Sequence, residues 1–183
     1  MIYGVVQGMP TPIITMHTGL YVVMGVSGSG KSLIGSRLAH ALGLEFVEGD
    51  AYHSPENVAR MSAGTPLTDE DRQAWLAAIA RRLDAARRAG VGLVVSCSAL
   101  KRSYRDVLRA GGADIQFVYL DGDRSLIEQR LAGRRGHFMP SSLLDSQFAT
   151  LEPPSADEDA WVCDISQPPD AVVASLVERN LSR

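Results

Sequence analysis

The chain is poor in the features that mark several large classes of protein. It has only two cysteines, Cys97 and Cys163, and their wide separation gives no basis for a disulfide framework or a zinc site. No apolar run approaches the roughly 18 residues that a membrane span requires. A formal net charge of −3 lacks the excess of positive charge that gripping a nucleic-acid backbone needs. We therefore expect a cytoplasmic protein that binds neither nucleic acid nor a membrane.

Length and composition are those of a single globular domain. The 183 residues are 45% hydrophobic and 21% charged, an ordinary balance for a folded domain. Pro10 and Pro12 interrupt the apolar stretches at the start of the chain, and no Lys or Arg precedes them as a secretory signal requires. We predict a flexible leader at residues 1–19 and one domain at residues 20–183.

Short apolar runs alternate with segments of helical periodicity along this domain. The predicted strands begin at Leu20, Glu45, Gly92, Ile115 and Trp161. Ser54 before Pro55 is typical of a helix start, and Thr68 with Asp71 resembles a capping box that opens a long helix ending near Gly90. Strands that alternate with helices indicate an α/β fold, with a parallel sheet covered by helices on both faces.

A glycine-rich segment, which we call the P-loop, joins the first predicted strand to the first predicted helix. It matches the phosphate-binding pattern of Gly, four residues, then Gly-Lys-Ser. Its members are Gly25, Val26, Ser27, Gly28, Ser29, Gly30, Lys31 and Ser32. Such glycines let N–H groups point at phosphate oxygens, which the positive end of the helix also attracts. The segment predicts nucleoside-triphosphate binding, with Lys31 on the β and γ phosphates and Ser32 as a ligand of Mg²⁺.

Two aspartates are candidates for the carboxylate that lies nearest the transferred phosphoryl group. Asp50 follows the second predicted strand, at the sheet edge where α/β folds place their ligands. There a carboxylate would orient or deprotonate a hydroxyl, or hold Mg²⁺ through water, although an ordinary turn aspartate is the alternative. Asp121 ends an apolar strand like a second Mg²⁺-binding motif, but an aspartate there also caps helices. We take Asp50 as the catalytic candidate.

Residues from about 133 to 159 show no strand pattern, and we predict a lid there. A basic cluster begins just before it and consists of Arg130, Arg134, Arg135 and His137. Beside a P-loop, such charges favour stabilisation of a phosphoryl-transfer transition state, whereas attraction to the end of a helix is the alternative. A second basic group follows the third strand and comprises Lys101, Arg102 and Arg105, which would meet an anionic substrate or form a solvated helix face.

Five segments together resemble the gluconokinase family, relatives of shikimate kinase within the nucleoside-monophosphate-kinase-like fold. They lie at residues 24–32, 48–57, 64–72, 97–106 and 136–139. The likeness extends from about Leu20 to the C-terminus. A P-loop alone predicts only nucleotide binding, so this ordered set is far more specific.

The resemblance implies phosphorylation of D-gluconate by ATP with Mg²⁺, usually in a homodimer, on a P-loop three-layer sandwich whose five parallel strands lie in the order 2-3-1-4-5. It places Arg130 and Arg134 over the phosphates and Gln167 and Pro168 near the adenine. The residues that it places in the acceptor pocket are Asp50, His53, Arg60, Lys101, Arg105 and His137. Arg60 stands where the family commonly has Lys, and its forked guanidinium keeps the charge and is able to bind a carboxylate in bidentate fashion.

Other functions remain open at this point. Shikimate or another small hydroxy acid is an alternative acceptor. A nucleotide-dependent switch or binding module is an alternative of a different class. Against the switch, the chain contains no Asn-Lys-x-Asp guanine motif and is too short for a large effector domain.

Overall fold

The structure is a computed structural model that describes residues 18–133 and 141–182. Most of the predicted leader therefore lies outside the described residues, as do Arg134, Arg135 and His137 of the basic cluster. Within the part that is described, no helix combines the length and the apolar character that crossing a membrane demands.

Residues 18–133 and 141–182 contain five strands and seven helices, with at least one helix between successive strands. The strands are β1 Leu20–Met24, β2 Glu45–Glu48, β3 Leu93–Ser96, β4 Ile115–Asp121 and β5 Trp161–Asp164. The helices are α1 Lys31–Leu42, α2 Pro55–Ser62, α3 Asp69–Ala89, α4 Arg102–Arg109, α5 Arg124–Ala132, α6 Ser141–Thr150 and α7 Pro169–Leu181. Short 3₁₀ turns cover Gly49–Tyr52 and Ala156–Glu158. The predicted strands and their alternation with helices are confirmed.

The strands form one parallel sheet in the order β2-β3-β1-β4-β5. β1 lies at its centre, where Val22 pairs with Val95 of β3 on one side and with Phe117 of β4 on the other. The predicted order is confirmed. Because all strands run the same way, their carboxyl ends meet at one edge, and the P-loop after β1 and the segment after β2 lie at that same edge.

Each face of the sheet carries its own apolar core, as alternating strand residues require. Val23 of β1 points to the face covered by α1, α5, α6 and α7, where it packs with Leu38 and Leu176. Val22 points to the opposite face, which α3 and α4 cover with Ile79 and Leu108. The helices therefore lie on both sides of the sheet, and the predicted three-layer sandwich is confirmed.

Local capping sets where α2 and α3 begin. Ser54 precedes Pro55 and its hydroxyl accepts a hydrogen bond from the Asn57 amide at 3.2 Å. Thr68 and Asp71 form a reciprocal capping box, since each side chain accepts from the other residue's amide, at 3.2 and 2.8 Å. Both predicted helix starts are confirmed.

The predicted lid segment contains more structure than its sequence pattern indicated. Residues 141–150 form α6, whose Leu143 and Leu144 are buried and whose Phe148 packs against the core. The helix is short and its apolar residues are few, so periodicity alone did not reveal it. From residue 141 onward this segment belongs to the packed body, and the assignment of a lid stays a prediction.

Arg105 lies inside the protein and not in the predicted acceptor pocket. Its side chain is fully buried, and Nε and Nη2 each donate to the Glu158 carboxylate at 2.6 Å. Nη1 donates to the carbonyl oxygens of Ala99, Leu100 and Glu152. The prediction that Arg105 lines the acceptor pocket is therefore wrong. Its partners come from distant parts of the chain, which no local pattern in the sequence connects.

We expect Arg105→Gln to destabilise the protein strongly, because it leaves the buried Glu158 carboxylate with Arg109, at 3.1 Å, as its remaining cationic partner. Breaking a buried ion pair in this way costs about 3–5 kcal/mol of unfolding free energy. The matched control is Arg102→Gln, which removes an exposed ion pair with Asp157 that we expect to contribute little to stability. Urea denaturation of both variants measures the difference, and equal losses would contradict the structural role of Arg105.

Acid titration provides a second measurement of the same ion pair. Hydrogen bonds from the Arg105 guanidinium, and to a smaller extent from Arg109 and the Ser155 amide, lower the pKa of Glu158 from 4.5 to about 2. A carboxyl group whose pKa is lower in the folded state stabilises the fold fully above its unfolded pKa and loses that contribution as the pH falls. The parent should therefore lose stability between about pH 4.5 and pH 2, and this loss should be smaller in Arg105→Gln.

Candidate active site

Two cavities lie on either side of the P-loop. The first cavity has a volume of about 370 Å³ and is bordered by the P-loop, the end of β2 and the start of α3. The second cavity, of about 260 Å³, is bordered by the P-loop, the end of α5 and the start of α7. Gly28 and Gly30 line both. The P-loop thus separates two spaces that two reactants would occupy.

The backbone of the P-loop depends on its glycines. Gly25, Gly28 and Gly30 have φ values of 143°, 83° and 99°, which L side chains rarely adopt. A Cβ atom on Gly28 would also lie 2.9 Å from the Leu131 side chain. The loop ends at the N-terminus of α1, where unpaired N–H groups and the helix dipole attract an anion. This backbone fits the phosphates of a nucleotide.

Lys31 and Ser32 both line the first cavity, as predicted for residues that meet the nucleotide's phosphates and Mg²⁺. The Lys31 ammonium donates to the Val26 carbonyl oxygen at 3.0 Å and so folds back over the loop. Ser29 is buried, and its hydroxyl has no hydrogen-bond partner among the residues described. Charge and hydroxyl groups are therefore present where a magnesium-bound triphosphate would need them.

Asp50 reaches the first cavity because Gly49 is held on both sides. The Gly49 amide donates to the Ser96 hydroxyl at 3.2 Å, and the Trp75 indole donates to the Gly49 carbonyl at 2.8 Å. A Cβ atom on Gly49 would lie 2.0 Å from the Ser96 carbonyl oxygen, so only glycine fits. Asp50 and Lys31 consequently line the same space.

His53 stacks against a buried tryptophan at the edge of the first cavity. Its ring lies 4.3 Å from that of Trp75, at an interplanar angle of 14°. Burial lowers the pKa of His53, an effect that Asp50 opposes and Arg72 reinforces. The imidazole is therefore neutral at pH 7, and its buried Nδ1 has no partner among the residues that the structure describes. A neutral ring suits hydrogen bonding to a hydroxyl rather than charge pairing with a carboxylate.

Arg72 lines the first cavity, although its sequence position gave no reason to assign it a role. Its Nη1 donates to the Leu67 carbonyl oxygen at 2.6 Å and approaches the Tyr104 hydroxyl at 3.4 Å. These contacts leave most guanidinium N–H donors available to a ligand. The sequence signal that could have identified Arg72 is its position directly after the acids of the α3 capping box.

Arg60 and Lys101 do not line the first cavity. Arg60 pairs with Asp71 at 2.8 Å, and Lys101 pairs with Asp69 at 2.7 Å. The Lys101 contact lowers the pKa of Asp69, which also accepts from the Tyr104 hydroxyl at 2.5 Å. Acids of the first turn of α3 thus hold both cations beside the cavity, and their role in acceptor binding stays a prediction.

Arg130 faces the second cavity and contacts the back of the P-loop. Its Nη2 donates to the Ile165 carbonyl oxygen at 2.6 Å, and its Nη1 lies 3.4 Å from the Ser29 carbonyl oxygen. Gln167 lines this cavity as well. Pro168 is the N-cap of α7 and does not line it, whereas its neighbour Pro169 does. This second cavity is the candidate site for the nucleotide base.

Asp121 lies in neither cavity. Its carboxylate accepts a hydrogen bond from the Tyr119 hydroxyl at 3.1 Å, and the N-cap position of α5 belongs to Asp123. Neither alternative for Asp121, a Mg²⁺ ligand or a helix cap, describes this contact. Across residues 18–133 and 141–182, no group of three His, Cys, Asp or Glu side chains converges on a metal-binding point.

Comparison with known proteins agrees with this arrangement. Residues 20–154 match a family model described as an AAA domain. The chain is 48% identical over 160 residues to the thermoresistant gluconokinase of Escherichia coli (strain K12), which covers 87% of this chain and 91% of that protein. It is 50% identical over 156 residues to the gluconokinase of Gluconobacter oxydans (strain 621H), with coverages of 85% and 88%.

A solved structure supports the same assignment. The crystal structure of a gluconokinase from Sinorhizobium meliloti 1021 superimposes with a TM-score of 0.80 and 48% sequence identity. The superposition covers 90% of this chain and 96% of that one. The chain shares this level of identity over nearly the whole domain, and it also contains the P-loop, the Gly49-Asp50 turn and the capping box of α3. The chain belongs to the gluconokinase family.

Proposed function

We propose that this protein transfers the γ-phosphoryl group of ATP to D-gluconate, producing ADP and 6-phospho-D-gluconate. One observation carries the proposal. A single cavity is lined by the P-loop lysine Lys31, the carboxylate of Asp50 and the guanidinium of Arg72. This cavity thus brings together a phosphate-binding loop, a carboxylate that can accept a proton and a cation that can bind the acid group of the substrate.

The transfer requires a hydroxyl oxygen of gluconate to attack the γ phosphorus. A new O–P bond forms, the bond between the γ phosphorus and the ADP oxygen breaks, and the hydroxyl proton passes to the Asp50 carboxylate. Asp50 is suited to this role because it is exposed in the first cavity. The two hydrogen bonds that join Gly49 to Ser96 and Trp75, which we call the clamp on Gly49, fix the backbone next to Asp50. A positioned general base contributes about 10²–10⁴-fold to such a reaction.

Positive charge on the P-loop side stabilises the transition state, since phosphoryl transfer depends mainly on positioning and electrostatics. Lys31 supplies one charge from the first cavity, and Arg130 supplies another from the second. Mg²⁺, with Ser32 as its protein ligand, would neutralise charge on the phosphates. From the sequence alone, we propose that Arg134 supplies a further positive charge to the transition state.

The carboxylate of gluconate is assigned to Arg72, because that guanidinium lines the first cavity with donors to spare. An arginine fork binds a carboxylate in bidentate fashion. His53, which is neutral, is assigned to a sugar hydroxyl. Shikimate as an acceptor is the less favoured alternative, because the similar proteins at 48–50% identity carry the gluconokinase name.

Two wider expectations accompany this proposal. Cys97 and Cys163 are both free and buried, which agrees with the reducing cytoplasm that we propose as the protein's location. A homodimer is the proposed assembly. Light scattering after size-exclusion chromatography would give twice the mass of one 19.7 kDa chain if this is correct.

The direct test is a product assay with ATP and Mg²⁺ in the presence of gluconate, shikimate or no acceptor. We expect 6-phosphogluconate with gluconate and little free phosphate without an acceptor. Lys31→Ala should abolish most of this turnover while leaving the melting temperature close to that of the parent, since the ammonium acts mainly in the transition state. Phosphate release without a phosphorylated acid would instead identify a nucleotide-hydrolysing switch.

We expect Asp50→Asn to lower kcat by about 10²–10⁴-fold with a much smaller effect on the KM for gluconate. The amide keeps the shape of the side chain but cannot take the proton. Steady-state kinetics with both substrates varied would measure the two effects separately. A normal kcat with a raised KM would make Asp50 a binding group instead of a base.

We expect Arg72→Gln to lower kcat/KM for gluconate by about 10- to 150-fold, because a hydrogen bond to a charged group contributes about 1.5–3 kcal/mol. Sorbitol has the same carbon chain without the acid, so its much lower kcat/KM should change little. Arg60→Gln is the matched comparison, since Arg60 lies outside the cavity. A gluconate-specific loss in Arg60→Gln but not in Arg72→Gln would reverse the assignment.

A further inference from the structure

A side chain of α6 holds one amide of the P-loop. Gln147 lines the first cavity, and its Oε1 accepts a hydrogen bond from the Ser27 N–H at 2.6 Å. By contrast, the Ser29 N–H donates within the loop to the Val26 carbonyl oxygen at 3.2 Å. The Ser27 N–H is thus paired with a side chain from a separate helix.

α6 is firmly attached to the body of the protein. Leu143 and Leu144 are buried, and Gln147 follows them by four and three residues, so it lies on the same face of the helix. The Glu152 amide just after α6 donates to the Leu100 carbonyl oxygen at 2.8 Å. Gln147 is therefore a polar side chain on a core-facing stripe, with its position fixed by packing.

α6 is also tied to α5, which contacts the opposite side of the P-loop. Arg124 at the start of α5 forms a short ion pair with Asp145, and its guanidinium lies 5.6 Å from the centre of the Phe148 ring. Farther along α5, Arg130 approaches the Ser29 carbonyl oxygen. The two helices on either side of residues 134–140 thus both contact the phosphate-binding loop.

The two cavities show which end of the loop Ser27 occupies. Ser27 and Gln147 line only the first cavity, whereas Ser29 lines only the second. On the proposed function, the acceptor occupies the first cavity, and the phosphoryl group that reaches it is the γ phosphate. The Ser27 N–H therefore belongs to the γ-phosphate end of the nucleotide site.

We propose that Gln147 is a positioning residue that couples α6 to the γ-phosphate end of the P-loop and distinguishes a nucleoside triphosphate from a diphosphate. By accepting from the Ser27 N–H, its carboxamide oxygen fixes the backbone of the loop beside the γ phosphate. Its Nε2 has no acceptor among residues 18–133 and 141–182, and it supplies neutral donors in the cavity where phosphate and acceptor meet. This role rests on the proposed kinase function.

The chemistry of the amide provides two informative substitutions. Gln147→Glu retains an oxygen that accepts from the Ser27 N–H, but it removes the donors and adds a negative charge beside the phosphates. Gln147→Ala removes both the acceptor and the donors. The matched control is Gln129→Glu, which makes the same chemical change at an exposed position of α5.

The first experiment measures binding without an acceptor, by titrating MgATP and MgADP into each variant. We expect Gln147→Glu to weaken MgATP by about tenfold or more, because like charges repel, while MgADP changes by less than about threefold. Hydrogen exchange of the Ser27 amide in the nucleotide-free protein should be faster in Gln147→Ala and unchanged in Gln147→Glu. Gln129→Glu should match the parent in each measurement.

The second experiment measures turnover. We expect both Gln147 variants to lower kcat, by about 10²-fold for Gln147→Ala, because small errors in positioning cost about that much. Parent-like kcat and parent-like relative affinities for ATP and ADP in both variants would overturn the proposal. So would equal weakening of ATP and ADP with a lowered melting temperature and unchanged kcat, which is the pattern of simple structural support.

The two proposals fail in distinguishable ways. If the parent protein does not phosphorylate gluconate, the proposed acceptor is wrong, and the ratio of ATP to ADP affinity still tests Gln147. If the parent phosphorylates gluconate and the ratio is the same in every variant, the acceptor assignment stands and the role of Gln147 is refuted.

Discussion

The site depends on the backbone conformation of the P-loop. This arrangement requires left-handed φ values at Gly28 and Gly30, which cost most side chains free energy. Apolar neighbours hold the loop in place, since Ile127 and Leu131 pack against Gly28 so closely that a Cβ atom would clash. β1, at the centre of the sheet, carries the loop to the edge where β2 also ends.

Rigid polar contacts then place the other groups around this loop. The clamp on Gly49 directs Asp50 into the first cavity and uses the indole N–H of Trp75, whose ring face stacks on the ring of His53. The buried pair of Arg105 and Glu158 performs a similar task at a distance, since it fastens α4 to the segment that follows α6. Breaking either contact would remove a hydrogen bond from a buried polar group, which is why such contacts allow few alternative arrangements.

Sequence patterns gave correct predictions where the interactions join residues that are close along the chain. The capping box at Thr68 and Asp71 connects residues three apart, and the strand order followed from a resemblance that extends over almost the whole domain. Patterns failed where a role depends on distant partners. Arg105 was assigned to the acceptor pocket and lies in the core, while Arg72 had no assigned role and lies in the cavity. α6 was missed because ten residues with few apolar positions give a weak periodic signal.

The sequence by itself determined the fold class, the P-loop and the family resemblance, because glycine spacing, helix caps and apolar periodicity act between residues close along the chain. Only the tertiary structure decided which charges line the first cavity and which are paired with acids. Arg60, Arg72, Lys101 and Arg105 have similar charges, and one lines the first cavity while three are held by carboxylates. It also brought Gln147 to Ser27, since a hydrogen bond between distant residues exists only after packing has fixed the helices that carry them.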